Sequence, residues 1–102
     1  MLVNAPSLEE REARRLDRGD RVVIVRETVS ESLAPFTVGK RATVFIGGCD
    51  IVQIVVDGPT DRAALLREGL AYLLDKDGAL VVWARVDRIE KLSAVDRIAE
   101  LA

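Results

Sequence analysis

The sequence predicts an α+β fold: a strongly bent antiparallel sheet, or small β-barrel, of four or five strands, with an inserted helix and short terminal helices. Three observations predict it. The runs VVIV (22–25), IVQIVV (51–56) and ALVVWA (79–84) are apolar and rich in β-branched residues, have strand length, and are bounded by turns containing Gly and Asp. The stretch 61–74 instead carries its leucines at helical spacing. A length of 102 residues, 49% of them hydrophobic and 31% charged, suits one folded domain with its own core rather than two.

Each element follows in order. Ser7 and Glu10 have the capping-box spacing and place a helix start near Leu8, with Leu8 and Leu16 as a thin apolar stripe. DRGD (17–20) is a turn and RVVIVRE (21–27) a strand. Residues 28–41 hold Pro35 and Gly39 without a sustained period, which predicts a long loop. ATVFIG (42–47) and DIVQIVVD (50–57) form a hairpin around Gly47 and Gly48. DGPT (57–60) breaks the sheet and offers Thr60 as the cap of the helix 61–74, whose apolar face is Leu66, Leu70, Leu73 and Leu74. DKDG (75–78) ends that helix, and ALVVWARV (79–86) is the most apolar strand. Ser93 caps a last helix with Val95, Ile98 and Leu101 on one seam. The division is therefore an N-terminal helical segment (1–18), a barrel-like core (19–91) and a C-terminal helix (92–102).

The strands are apolar at both alternating positions, where a half-exposed antiparallel strand should alternate. Both faces of the sheet are thus expected to be covered, either by closure and the helices or by a second subunit in a homo-oligomer. Trp83, inside ALVVWA, is expected in the core.

Charge and cysteine usage narrow the function. The net charge is −2, whereas duplex nucleic acid is normally met by a basic surplus. In EEREARRLDRGDR (9–21) the five arginines are matched by five acids, which describes a solvated, ion-paired face. A lone cysteine cannot form an internal disulfide, the start shows no signal-peptide layout, and no apolar run has the length of a membrane span. A cytoplasmic protein is the expectation.

The absence of histidine removes Ser-His and Cys-His nucleophile pairs and most transition-metal sites. Cys49 beside Asp50 reads as a small apolar side chain at a hairpin end rather than a reactive thiol. DKDG resembles the opening of a calcium loop, but with Asp75 first the twelfth position is Val86, and with Asp75 third it is Ala84, so the closing carboxylate is missing. Asp50, Asp57, Asp61, Asp75 and Asp77 stand where turns and caps use aspartate. The glycines have no phosphate-loop spacing. No cofactor and no metal is expected. Phe36, Lys40, Arg41 and Trp83 remain as binding candidates, Trp83 with the core as its favoured place: an aromatic ring and two cations around a long loop can form a groove for a peptide or a single strand.

The order RGDRVVIVRE, long loop, VGKRATVF, DIVQIVVDG and a late strand in VDRIEKL resembles the Src-homology-type small β-barrels. Within it, GDRVVIV…VGKRATVF…DIVQIVVDG is similar to the KOW-type barrels of ribosomal and transcription proteins. The resemblance spans residues 19–91 and implies a binding module without catalysis. The chain departs from it by the helix 61–74, where such barrels have a short turn, and by its slight acidity.

The expected function is a non-catalytic protein–protein adaptor or regulatory module working through the 28–41 loop and the adjacent hairpin. A nucleic-acid-binding barrel using Phe36, Lys40 and Arg41 comes second, and an enzyme built on Asp57, Asp61 and Asp75 third.

Overall fold

The structure, a computed structural model, describes residues 14–28 and 30–92. The helices expected from Ser7 and from Ser93 lie outside the described residues. Five strands, β1 (Arg21–Ile24), β2 (Arg41–Ile46), β3 (Ile51–Val56), β4 (Leu80–Arg85) and β5 (Ile89–Lys91), form one antiparallel sheet in the order β4-β3-β2-β1-β5. Two short helices accompany it, α1 (Ala34–Thr37) and α2 (Arg62–Arg67), with single 3-10 turns before α1, after α2 and between β4 and β5. The curled sheet with short helical pieces is the α+β arrangement expected.

The alternation of side chains along a strand decides which residues make the core. Val22 and Ile24 of β1, Ala42 and Val44 of β2, Val52, Ile54 and Val56 of β3, Leu80, Val82 and Ala84 of β4, and Ile89 of β5 are all buried on the concave side. Leu33, Leu65 and Leu16 close that side, with Phe36, Leu70, Leu73 and Leu74 packed at its margin. The opposite side is not sealed among the described residues. β4 reads buried and less buried in strict turn, and its Trp83 is 46% exposed. The expectation that Trp83 is core is corrected, and among the described residues closure and helices cover one face only, leaving the other an apolar surface.

Several local expectations change for identifiable reasons. The helix 61–74 stops at Arg67. Glu68 is its C-cap, Gly69 has φ +72°, its N–H donates to the Leu66 carbonyl, and the Leu70 N–H donates to the Leu65 carbonyl. This pair of bonds is a Schellman stop, which needs the left-handed conformation that glycine adopts without penalty. Leu65 rather than Leu66 becomes the buried leucine, and Leu66 is exposed. The cap is Asp61, whose Oδ1 accepts from the Ala64 N–H at 3.0 Å, not Thr60. The 28–41 stretch is not a plain loop: Ser30 accepts from the Ser32 N–H and opens a helical turn that carries Pro35 in its first positions. Leu16 is not helical; its N–H and carbonyl pair with Gly48 at 3.0 and 2.9 Å. The short β5 follows β4 directly through a 3-10 turn and pairs with β1.

Among the described residues, buried polar side chains are few. Thr37 Oγ1 donates to the Leu33 carbonyl at 2.9 Å, whereas Thr28 Oγ1, equally buried, finds no partner.

Candidate functional site

The open face of β2, β3 and β4 is assembled by register. Thr43, Val55 and Val81 lie in one row across the three strands, and Gln53 and Trp83 in the next. Between Val44 and Ile46 the β2–β3 ladder slips by one residue, so that Phe45 and Ile46 together face Gln53. A bulge of this kind re-aims side chains, and both residues are 45% exposed. Ile51 continues the face opposite Arg85.

Beside β4, the 3-10 turn Ala71–Leu73 and residues 74–75 form a wall. Leu74 bridges to Leu80, and Asp75 is fixed by its own chain: its N–H donates to the Ala79 carbonyl, and its Oδ1 accepts from the Asp77 and Ala79 N–H groups at 2.9 Å each. Asp75 is thus a turn-forming carboxylate. The result is a groove of about 480 Å³ floored by Gln53, Val55, Val81 and Trp83 and walled by Phe45 on one side and Tyr72 to Asp75 on the other. Three of the four aromatic residues of the chain line it. Tyr72 is the most exposed of them, at 78%. Exposed aromatic rings around an apolar floor, with Gln53, Asp75 and the Tyr72 hydroxyl as the polar lining, make a surface for apolar side chains.

Charge around this face is balanced. The Arg18 guanidinium stacks over the Phe45 ring at 4.7 Å. Arg85 pairs with Asp87 at 2.9 Å. Arg21 forks onto Asp57, and donates to Thr43 Oγ1 at 2.8 Å, tying β1 and β2 to the end of β3. Arg85 stands at the Ile51 end of the face, Arg18 over Phe45 in the row of Gln53 and Trp83, and Asp75 at the start of β4.

The candidates from sequence fall in different places. Phe36, in α1, is half-buried against the core. Lys40 is half-buried in the turn before β2, its N–H donating to the Thr37 carbonyl and its carbonyl accepting from Ile24. Arg41 is exposed and shares the outer side of β2 with Thr43 and Phe45, the latter about 13 Å away by the rise of a strand. The groove residues Phe45, Tyr72 and Trp83 escaped sequence reasoning as a group. Phe45 and Trp83 sit inside strand runs that are apolar at both alternating positions, so no sequence signal separated them from the core, and the strand parity and the bulge that unite them are tertiary facts.

Two ionisable groups away from the groove are perturbed. Hydrogen bonding from its own backbone N–H, then from Arg88, holds the Glu27 carboxyl below its usual range. The Asp17 carboxylate, and after it the Cys49 thiol, hold the Arg15 guanidinium above its ordinary value.

No helix among the described residues is long and apolar enough to cross a membrane. No protein family, curated protein or solved structure matches the chain.

Proposed function

We propose that the chain is a non-catalytic, cytoplasmic protein-binding module, an adaptor or regulatory domain, and that its docking surface is the groove of Phe45, Tyr72 and Trp83 on the outer face of the sheet. One observation carries the reading: among the described residues an apolar and aromatic groove stands open on the outer face of β2–β4, beside an edge strand, while the other face is fully used as core. Such a face costs solubility unless something occupies it, and its aromatic residues are the side chains that dominate protein interfaces. The resemblance to small β-barrel binding modules agrees with it. The single cysteine suits a reducing compartment.

Nucleic acid is the second reading, since exposed aromatic rings near Arg18, Arg21 and Arg41 can stack bases. It is less favoured because Arg21 and Arg85 are already paired with Asp57 and Asp87 and the whole chain is acidic.

Site-directed photocrosslinking at position 53 in cell extract, for the wild type and Trp83→Ser, tests the first reading. Protein adducts that vanish in Trp83→Ser but persist in Lys40→Ala/Arg41→Ala support it. Oligonucleotide binding that weakens steeply with salt and is lost in Lys40→Ala/Arg41→Ala would replace it.

A further inference from the structure

We infer that the occupant of this groove is a second copy of the chain, packed face to face in a two-fold dimer through the outer sides of β2, β3 and β4. The inference rests on the reading of this face as a protein-docking surface and names its partner.

The first argument is the layout of charge. Asp75 is anchored beside Ala79 at the start of β4, and Arg85 ends the same strand. Five residues of strand separate Leu80 from Arg85, so the two charges stand roughly 17 Å apart with Trp83 between them. A two-fold axis lying in the interface and crossing the strands near Gln53 and Trp83 exchanges the two ends of the face. Each Arg85 then stands over the partner's Asp75, and the apolar middle meets itself. With each Arg85 shared between its own Asp87 and the partner's Asp75, and the apolar centre meeting itself, the face is self-complementary under this symmetry.

The second argument is area. With about 150–250 Å² for a whole aromatic side chain, half-exposed Phe45 and Trp83 and largely exposed Tyr72 present roughly 350 Å². Ile46 and Ile51, each about half exposed, bring the apolar area to roughly 500 Å². A standard interface takes about 800 Å² from each partner, of which some 65% is apolar in homodimers, or about 500 Å². The open face therefore holds the apolar area that one standard homodimer needs. Two sheets packed on their faces with strands nearly aligned also form a common architecture, and it gives the second apolar side of these strands a dry environment.

The test is sedimentation velocity on the full chain across about 1 to 300 µM, a range that brackets a modest dimer, with emission of the single tryptophan as a second readout. Expected are a monomer–dimer equilibrium and a blue shift of Trp83 emission as the dimer forms. Trp83→Ser, at a half-exposed position, and Arg85→Glu should each raise the dimer dissociation constant at least about tenfold while leaving the circular dichroism unchanged. Asp75→Lys, which also gives up the turn bonds of that carboxylate, should weaken the dimer as well, and mixing it with Arg85→Glu should restore association, because each heterodimer regains two opposite-charge contacts. A chain that stays monomeric at every concentration overturns the second copy and leaves the docking reading to the crosslinking experiment. A dimer indifferent to both Trp83→Ser and Arg85→Glu overturns it as well, by placing the interface elsewhere.

Discussion

Gly47 gives the sharpest test of how the hairpin is held. Its φ is not positive, so alanine meets no backbone strain there, and a glycine-to-alanine change at an ordinary conformation stabilises by about 0.4–1 kcal/mol through the unfolded chain. The surroundings reverse that sign. A Cβ on residue 47 would stand 2.5 Å from the Leu16 carbonyl oxygen and 3.1 Å from the Asp17 Cα, both main-chain atoms that cannot swing away. Relief requires the Leu16 segment to lift off the hairpin. That opens the reciprocal Leu16–Gly48 hydrogen bonds of 3.0 and 2.9 Å, and it exposes Leu16, which is 6% exposed now. Two hydrogen bonds contribute about 1 kcal/mol each and the leucine up to about 2 kcal/mol. Partial opening less the entropic gain leaves a net loss of about 2 kcal/mol for Gly47→Ala, a fall in Tm of roughly 8–15 °C for a domain of this size. Urea denaturation of Gly47→Ala, Leu16→Ala and the double variant measures it. Because both single changes break the same bridge, the double variant should lose clearly less than the sum. A Gly47→Ala protein within about 0.5 kcal/mol of wild type, or additive losses, would refute the reasoning.

Other expectations follow from the same packing. Thr28→Val should stabilise by about 1 kcal/mol, because a buried hydroxyl without a partner is exchanged for a methyl group of similar shape; thermal melts check it. Leu65→Ala, at a fully buried site on α2, should cost about 3 kcal/mol by cavity formation, read from urea midpoints at unchanged slope. Glu27 has its folded pKa depressed, so its contribution is present above the ordinary carboxylate pKa of about 4.3 and is lost as the pH falls through the folded value. Between about pH 5 and pH 3 the wild type should therefore lose more stability than Glu27→Gln, and parallel pH profiles of the two proteins would contradict the assignment.

The chain itself determined the class of object. β-branched runs broken by Gly and Asp can hardly be anything but short strands, since their side chains resist helical χ1 geometry and fit a pleated surface. The hairpin at Gly47–Gly48, the turn at DRGD and the aspartate-held turn at DKDG follow from the conformations those residues admit. Even the stop at Gly69 was legible, because Arg-Glu-Gly-Leu after a helical run is the pattern of a helix end; the leucine spacing beyond it argued for continuation, and the glycine prevailed. What a one-dimensional pattern does not carry is which of two apolar faces turns inward. VVIV, IVQIVV and ALVVWA are apolar on both sides, so period alone cannot assign Trp83 to core or surface. Only the curl of the sheet, with Leu16, Leu33 and Leu65 closing its concave side, chose Val82 and Ala84 for the interior and left Trp83 and Val81 outside. The bulge that turns out both Phe45 and Ile46, and the wall that brings Tyr72 and Asp75 beside Trp83, are likewise outcomes of register and chain return, contacts between residues far apart in sequence. The elements were set by local stereochemistry. The groove was set by which side of the sheet the rest of the chain could reach to cover.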